Sequence, residues 1–466
     1  MNCIINGFHD IHQKEIIDFI INKIQPEKGY LILDDRKFLY QYSNVTILYA
    51  NELNKGIYPV CNYSFSDDFL KYIHKNFYIL SLMMERQDSF KKNVHINYES
   101  KKNDIYKHFA YWYNEIKNAK IDFFISSNIP HDIYDYIIFL TLKYFGKTKF
   151  LFFYQSNFMD VIIPLIDGNY LYPSIEEEFN KQLLNKNFVF KSKVCVNEYN
   201  RQTNNVKPFY MSSKKKNLLI EFCKVTKKII DKGLIYSYKS YKRNSLYKAE
   251  TKKLRDAYEK KSMKPNFTEN YFYFPLHYQP ELTSCPLGGD YIDQYLIIDL
   301  ISSLLPDNFY LYVKEHPKQE IANRYGNYYS DTLIRNKNNI KFIKTEQDSY
   351  ELINHSKGVI TITGTAGWES LFRCKPVIVF GKNFYNYAPN VFYVENYEMC
   401  KSAINTIIKS TLDFSEISLK KFMVAVNNVC IEGFIDPVYE DSSIFTYKQS
   451  NNNIINFIKK FLEKGI

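Results

Sequence analysis

The sequence predicts an α/β protein in which two parallel sheets, one in each half of the chain, face each other across a cleft. Three observations predict this fold class. Apolar segments rich in β-branched and aromatic residues alternate with segments of helical periodicity, which is typical of a parallel sheet covered by helices. The chain has 466 residues, enough for two or three domains. The alternation stops over about 181–265 and then returns.

The elements of the first half follow from short apolar runs and from helical spacing. The predicted strands cover 3–6, 30–33, 45–49, 122–125 and 149–154, and the predicted helices cover 13–24, 105–119 and 132–145. In the middle region, helical spacing appears over 218–230 and 247–260. We therefore expect a first domain over 1–180 and a basic helical insertion or connector over 181–265.

The elements of the second half are better marked. The predicted strands cover 271–275, 310–314, 340–343, 359–363 and 377–380, and the predicted helices cover 291–305, 349–356 and 366–372. An amphipathic segment over 452–462 predicts a terminal helix. We expect a second domain over 266–440 and a C-terminal helix over 441–466.

Composition excludes several classes of protein. Hydrophobic residues make up 45% and charged residues 24%, the balance of a packed globular chain. The eight cysteines include no Cys-x-x-Cys pair, so neither a zinc site nor a disulfide framework is predicted. No signal peptide or membrane span is recognised in the sequence. A cytoplasmic protein is expected.

Positive charge is concentrated in the middle region. The net charge is +11, yet 181–265 alone has 23 Lys and Arg against 6 Asp and Glu, which leaves 38 basic and 44 acidic residues elsewhere. This pattern favours peripheral attachment to an anionic membrane surface through side chains such as Lys214, Lys215, Lys216, Lys227 and Lys228. The alternatives are a solvated helical face and a nucleic-acid surface with interleaved tyrosines. No nucleic-acid motif is present, so that partner is not expected.

The most informative motif is TITGTAGWES over 361–370, which follows an apolar strand and opens a helix. Glycine at 364 and 367 allows close approach of a ligand to the backbone, and Thr363, Thr365 and the first amides of the helix could face an anion. Glu369 lies one turn further on and could accept hydrogen bonds from a ribose diol. The alternative is a plain strand–turn–helix connection without a ligand.

Further histidines follow other predicted strands. VKEHP over 313–317 places Lys314 and His316 where they could reach phosphate oxygens, and FPLHYQPE over 274–281 supplies a third histidine. In the first half, GFHD over 7–10 and NIPHD over 128–132 occupy equivalent corners. Each of these motifs is also compatible with an ordinary turn.

Together, FPLHYQPE at 274–281, VKEHP at 313–317 and ITGTAGWESLFRCKPVIVFG at 362–381 resemble the capsule polysaccharide biosynthesis family, which includes bacterial Kdo transferases. The resemblance extends weakly to 127–135 and 152–157. It implies a glycosyltransferase of GT-B type, with two Rossmann-like domains and the donor nucleotide bound mainly by the second. It also implies a donor such as CMP-Kdo, a capsular or surface glycan as acceptor, and no metal or other cofactor. The absence of any Asp-x-Asp motif agrees with a metal-independent reaction.

Two other enzymes of the same fold stay open as alternatives. One is a teichoic-acid-type transferase of polyol phosphate from CDP-glycerol, and the other, less favoured, is a sugar-nucleotide 2-epimerase. For a transferase, the predicted catalytic acid or base is one of four residues at cleft-facing corners, which are Asp10, His131, His277 and Glu281. The predicted donor-binding residues are Lys314, His316, Thr363, Gly364, Thr365 and Glu369.

Overall fold

The computed structural model describes residues 1–34, 40–59, 64–91, 97–206, 234–321, 324, 328–329, 338–409 and 411–464. Its strands form two sheets. The helix predicted over 218–230 and the lysines at 214–216, 227 and 228 lie outside the described residues. In the described part of the chain, no helix combines the length and the apolar character required to cross a bilayer.

The first sheet contains seven strands within the described residues. They are β1 (Cys3–Asn6), β2 (Gly29–Leu33), β3 (Val45–Tyr49), β4 (Phe123–Ser126), β5 (Lys149–Gln155), β6 (Val161–Leu165) and β13 (Ile431–Glu432). Their order is β13-β6-β5-β4-β1-β2-β3. The pairs among β1 to β5 are parallel, whereas β6 and β13 join antiparallel at one edge.

Helices cover both faces of this sheet. They are α1 (Lys14–Ile24), α2 (Ala50–Leu53), α3 (Asp67–Lys91), α4 (Tyr98–Ala119), α5 (Ile133–Phe145), α6 (Pro173–Leu184) and α7 (Lys193–Thr203). The buried isoleucines of α1 recur at helical spacing and pack against one face. Helix α5 is buried over its first ten residues, because it lies between the other face and the helices α3 and α4.

The second sheet is parallel throughout its described strands. They are β7 (Asn270–Pro275), β8 (Phe309–Lys314), β9 (Ile340–Phe342), β10 (Gly358–Thr361), β11 (Val377–Val379) and β12 (Val391–Tyr393). The order β12-β11-β10-β7-β8-β9 is that of a doubly wound dinucleotide-binding sheet. From β7 the chain adds strands outwards on one side as far as β9, and from β10 it adds them outwards on the other side as far as β12. Ligands bind at such a switch point, beside the carboxyl ends of the two central strands.

The remaining helices are α8 (Leu234–Lys261), α9 (Gln294–Leu304), α10 (Ser349–His355), α11 (Thr365–Leu371), α12 (Tyr397–Lys409), α13 (Glu416–Val429) and α14 (Tyr447–Lys464). Helix α8 packs into the core of the second half through Tyr247, Leu254 and Tyr258. The Tyr258 hydroxyl donates to the carbonyls of Val313 and Ile343. This helix is therefore part of the second half rather than a separate insertion.

After α12 the chain returns to the first half. Helix α13 packs on α6, β13 pairs with β6, and α14 packs against α1. The second half therefore ends before the expected boundary at 440, because α13 and β13 belong with the first half. The sequence does not show this, since an antiparallel edge strand of only two residues gives no recognisable pattern.

The predicted fold class, two parallel-sheet halves with covering helices, is confirmed. The predicted strands agree with the observed ones to within a few residues in both halves, whereas helices α4, α8 and α14 begin five or more residues before their predicted starts. No prediction corresponds to helices α2, α3, α6, α7, α12 and α13 or to strands β6, β12 and β13. In α3, polar residues interrupt the apolar face, so its periodicity is weak in the sequence.

Candidate functional site

The ends of β7 and β10 are neighbours at the point where the second sheet reverses direction. His277 follows β7, and its Nε2 accepts a hydrogen bond from the Ile362 amide at 3.2 Å, just after β10. The same nitrogen lies 3.1 Å from the Thr361 hydroxyl. The ring is buried, and burial lowers its pKa to about 3, so His277 is neutral near pH 7. His277, one of the four candidate catalytic residues, is held as a structural link between two strand ends.

The glycine turn after β10 is closed by protein groups on two sides. A Cβ at Gly364 would lie 2.7 Å from the Thr361 hydroxyl and 3.0 Å from His277 Cε1. The Gly364 amide donates to the Thr361 hydroxyl, at 2.9 Å. Behind the turn, the Tyr385 hydroxyl donates to the Gly364 carbonyl and would lie 2.7 Å from a Cβ at Gly367. Both glycines are therefore required by packing inside the protein, in addition to any approach of a ligand.

The two threonines of this motif differ in availability. The Thr363 hydroxyl donates to the Thr283 carbonyl at 2.5 Å, and the side chain is buried. This predicted donor-binding residue therefore stabilises the loop that follows β7. Thr365, the first residue of α11, is only partly buried. Of the two, Thr365 is the residue whose hydroxyl can meet a ligand.

His316 lies at the end of β8 and close to His277. Its Nδ1 accepts a hydrogen bond from the Lys318 amide at 3.2 Å, which leaves the proton on Nε2 in the neutral ring. Burial lowers the pKa of His316 to about 4, against the opposing effect of the neighbouring Glu315 carboxylate. Because the ring also contacts Tyr278 at a centroid distance of 5.5 Å, its orientation is constrained. The geometry makes His316 a neutral N–H donor.

A buried ion pair supports both histidine loops. The Arg324 guanidinium donates to the Glu315 carboxylate at 2.9 Å and to the His277 carbonyl at 3.3 Å. It also donates to the Gln279 side chain, and Tyr329 donates to Glu315. The Arg324 side chain is only 1% exposed. Burial acts to lower the pKa of its guanidinium, but the nearby Glu315 carboxylate raises that pKa above its usual value. Removing either partner would leave a buried charge uncompensated.

Lys314 has a different environment from the one expected. Its side chain is buried, and its ammonium donates to the Gln347 carbonyl at 2.5 Å and to the Ser349 hydroxyl at 2.9 Å. These contacts tie the end of β8 to the start of α10. Lys314 therefore positions the loop before α10 through contacts inside the protein. The sequence predicts a different role for this ammonium, direct contact with a phosphate.

Glu369 on α11 belongs to a buried polar group that includes residues of α7. Burial raises its pKa to about 7, while the nearby Arg373 and Arg201 guanidinium groups oppose that shift. Arg373 lies over the Tyr350 ring at 3.8 Å, and Arg201 is paired with Glu198 at 2.7 Å. Glu369 is thus a buried carboxyl group whose protonation changes near neutral pH.

The corresponding edge of the first sheet encloses a cavity of about 400 Å³. Its walls come from the loops after β1, β2, β4 and β5 and from the segment after β13, and the first sheet also reverses direction between β1 and β4. The lining residues include Asn6, His9, Asp10, Asp34, Ser127, Asn128, His131, Asp132, Asp135, Gln155 and Asp436. The size and the polar walls are those of a site for a small polar molecule.

Two of the candidate catalytic residues line this cavity. His131 Nδ1 is 2.6 Å from the Ile129 carbonyl, to which it donates, so that Nε2 holds the lone pair. Burial and the Arg86 charge lower the pKa of His131 to about 4. Asp10 caps the short helix that follows it and accepts from the His12 amide at 2.8 Å. His131 is the better placed base, because no hydrogen bond of its Nε2 occurs within the described part of the chain.

The fourth candidate, Glu281, lies between the two halves. Part of its surface is exposed. The loss of water around the carboxyl group raises its pKa, and the Arg86 and Lys318 charges oppose this shift. Arg86, on α3, is 3.8 Å from Asp132 and also influences His131. Arg86 therefore lies close enough to ionisable groups of both halves for its charge to act on them.

Sequence reasoning missed several residues that shape these sites. Four of these residues follow no strand directly, so a pattern of polar residues at strand ends does not include them. They are Arg86, Asp135, Arg324 and Tyr385. The Arg-x-x-x-Tyr-Tyr pattern at 324–329, close after VKEHP, was the available signal for the ion pair with Glu315. Among the described residues, no cluster of three or more His, Cys, Asp or Glu side chains is suited to hold a metal ion.

One family model matches a segment that includes most of the second half. Residues 187–389 match the family model described as capsule polysaccharide biosynthesis protein. The resemblance is confirmed. The matched segment contains all three motifs of the second half that carry the resemblance, and it supports a role in capsule polysaccharide biosynthesis. A comparison with curated proteins gives no match.

Several solved structures resemble this chain over most of its length. KpsC of Thermosulfurimonas dismutans, a beta Kdo 2,7 transferase, is 12% identical with a TM-score of 0.34, over 85% of this chain and 98% of that one. The UDP-GlcNAc 2-epimerase from Methanocaldococcus jannaschii is 12% identical with a TM-score of 0.27, over 92% and 99%. A glycosyltransferase from Rickettsia africae ESF-5 is 13% identical with a TM-score of 0.26, over 99% and 98%. At these TM-scores the likenesses carry no argument about the reaction.

Proposed function

We propose that the protein transfers a sugar from a nucleotide-sugar donor to a capsular or surface glycan. The donor would bind at the edge of the second sheet, and the acceptor would bind in the cavity of the first. One observation carries this proposal: Arg86 lies close to His131 and Asp132 of the first half and to Glu281 of the second. Two strand-end sites therefore open towards one cleft.

The donor phosphate would lie between Thr365 and His316. The Thr365 hydroxyl and the Nε2 proton of His316 are donors that can stabilise negative charge on the departing nucleotide without a metal. Both are oriented by His277, which fixes the turn after β10, and by the Glu315–Arg324 pair. Gly364 contributes the space in which the turn forms, and Lys314 holds the neighbouring loop.

Glu369 would bind the ribose of the nucleotide. Its carboxylate accepts hydrogen bonds when ionised, and a vicinal diol supplies two donors. Two partly buried arginines nearby, Arg201 and Arg373, stabilise the ionised form against the effect of burial. The donor itself would be a CMP-linked sugar of the Kdo type in the first instance.

His131 would act as the general base. The Nε2 lone pair takes the proton from an acceptor hydroxyl, the acceptor oxygen bonds to the anomeric carbon of the donor, and the bond from that carbon to the nucleotide phosphate breaks. The phosphate leaves with the electron pair and is stabilised by Thr365 and His316. The neutral state of His131 at pH 7 is the state that this step requires.

The test begins with the donor. Thermal unfolding in the presence of CMP, UDP, GDP or CDP-glycerol should show selective stabilisation by one nucleotide through linkage. Release of that nucleotide from its sugar conjugate should then depend on His131, with His131→Ala inactive and the exposed His74→Ala as the matched control. Selective stabilisation by CDP-glycerol would instead favour the transfer of polyol phosphate. Stabilisation by none of the four would contradict the proposal.

A membrane surface is the proposed location of the acceptor. The described helix α8 has 9 Lys and Arg against 3 Asp and Glu, and most of its basic side chains are exposed. Clustered basic residues near anionic headgroups contribute about 1 kcal/mol each. Reversible attachment through this helix would keep the cleft near a lipid-linked glycan.

A further inference from the structure

The cavity at the edge of the first sheet is strongly acidic. Five aspartates line it, namely Asp10, Asp34, Asp132, Asp135 and Asp436. No lysine or arginine is among its described lining residues, although Arg86 lies behind Asp132 at 3.8 Å. Arg36 and Lys37 follow Asp34 in the sequence but lie outside the described residues. The walls that are described would repel an anion and accept hydrogen bonds from hydroxyl groups.

Asp135 gives this cavity a second feature that points to a ligand. The residue is only 5% exposed and is one of the lining residues. Its Oδ1 has no hydrogen-bond partner among the described residues. Burial and the nearby Asp132 raise its pKa well above the usual range, although Arg86 and the amides of Asp132 and His131 oppose this. A buried polar atom without a partner is costly, and a bound hydroxyl would satisfy it.

We propose that this cavity binds an acceptor sugar ring without an anionic group, and that Asp135 forms a hydrogen bond with one of its hydroxyls. The inference rests on the proposed function, because it names the class of acceptor for the same cleft. The side-chain oxygens of Asp10, Asp34 and Asp436 would accept from other hydroxyls of the ring. His131 Nε2 would then meet the hydroxyl that reacts.

The charge of the cavity distinguishes an uncharged sugar from an acidic one. A carboxylate on the ring would meet several aspartates, and the described lining residues include no lysine or arginine, although the His9 ring lies 3.3 Å from Asp34. Like charges brought together disfavour binding. A neutral ring with the same hydroxyls would avoid this repulsion. Specificity would thus come from a repulsive element as well as from hydrogen bonds.

A matched pair of ligands tests the inference on the full chain. Methyl β-glucoside and methyl β-glucuronide differ only at C6, and the same holds for the corresponding galactosides. Binding is measured by calorimetry and saturation-transfer NMR, with and without the nucleotide that stabilises the protein. We expect at least one neutral glycoside to bind ten-fold or more tightly than its acidic counterpart. Equal or tighter binding of the acidic sugar, or no binding of any glycoside, would overturn the inference.

Variants of Asp135 test its role. Asp135→Asn retains a hydrogen-bonding group of the same size, so affinity for the neutral glycoside should stay within about three-fold, whereas Asp135→Leu should lower it at least ten-fold. Retention of affinity by Asp135→Leu would contradict the role of this residue. If Asp135→Leu does not fold, the double variant Asp34→Asn/Asp436→Asn decides, because it should reduce the preference for the neutral sugar several-fold. An unchanged preference would overturn the electrostatic argument.

The two proposals can fail separately. Stabilisation by a nucleotide reports on the second sheet, and binding of a glycoside reports on the first. A protein that responds to one nucleotide but discriminates in favour of the glucuronide keeps the proposed function and loses the inference. A protein that binds no nucleotide loses the proposed function itself.

Discussion

The Nε2 atom of His277 lies 3.1 Å from the Thr361 hydroxyl, and this contact joins the ends of β7 and β10. The Thr361 oxygen in turn accepts from the Gly364 amide at 2.9 Å. Because Nε2 also accepts from the Ile362 amide, the nitrogen is unprotonated and is fully used inside the protein. His277 is therefore a positioning residue of the proposed donor site.

The first prediction concerns the stability supplied by neutral His277. His277→Leu should lower the free energy of unfolding by about 1–3 kcal/mol, because the Ile362 amide loses its acceptor. The folded pKa of about 3 lies below the ordinary value of 6.5, so the contribution of His277 is present above pH 6.5 and is lost as pH falls towards 3. Urea unfolding of wild type and variant between pH 4.5 and 7.5 measures it.

The slope of stability against pH is the informative quantity in that experiment. Wild type should lose up to about 1.4 kcal/mol per pH unit more than the variant as the pH falls below 6.5. Other groups, such as Glu369 with its raised pKa, contribute equally to both proteins and cancel in the difference. Identical slopes would show that His277 is not held neutral.

The second prediction concerns His316. His316→Ala should reduce turnover about 100-fold or more while leaving the fold intact, because it removes a preorganised N–H donor from the departing phosphate. Steady-state kinetics and circular dichroism measure the two effects. The matched control is His355→Ala, which changes an exposed histidine of the same half. Turnover of His316→Ala within a few-fold of the wild-type value would remove His316 from the donor site.

The third prediction concerns the ribose contact of Glu369. Glu369→Gln should weaken donor binding about ten-fold, because a neutral amide accepts hydrogen bonds from a diol less well than a carboxylate. The pKa of about 7 adds a pH signature: donor affinity of the wild type should decline as pH falls below 7, when the carboxylate is protonated. The variant should show no such decline. Calorimetric titration at pH 6 and pH 8 compares them, and parallel pH dependence in both proteins would argue against the contact.

The fourth prediction concerns Arg86 and the base. The guanidinium charge helps to hold the pKa of His131 at about 4, so Arg86→Gln should raise that pKa towards its ordinary value. A base with a higher pKa is protonated at higher pH. The acidic limb of the kcat/KM profile should therefore move upward by a measurable fraction of a pH unit. A limb that stays in place would mean that His131 is not the base that the profile reports.

The fifth prediction concerns the basic helix α8. Lys242→Glu/Lys248→Glu should abolish most co-sedimentation with vesicles that contain anionic lipid at low salt. Lys459→Glu/Lys460→Glu on α14 changes the net charge equally and is the matched control, since those side chains are also exposed. Wild-type binding should decrease at high salt, because exposed charges are screened. Equal loss in both variants would indicate a general charge effect rather than a docking helix.

Sequence alone located most of the strands that build the sites. The runs at 3–6, 271–275 and 310–314 are continuous apolar segments, and buried parallel strands have that signature. Polar residues after such strands are candidates because strand ends meet at one edge of a sheet. His316 follows the strand at 310–314 and His131 follows the one at 122–125, while Thr365 and Glu369 belong to the glycine motif after 359–363. All four stay candidates in the structure.

Helix α3 shows where the periodicity argument fails. Polar residues interrupt its apolar face, and Arg86 lies near its end with no motif around it. Its position over Asp132 depends on how α3 packs against α5. Packing between helices is decided by side chains far apart in the sequence, so no local pattern could have selected this arginine.

The sequence by itself determined the two α/β halves and the strand-end motifs, because alternating apolar runs and short loop motifs are local properties. Only the tertiary structure decided what the candidate side chains do. It placed His277 and Thr363 in internal contacts and left Nε2 of His131 beside a cavity. It also buried Asp135 there, where Oδ1 has no partner among the described residues. The availability of a polar atom depends on every element packed around it, and that is fixed by contacts between distant parts of the chain.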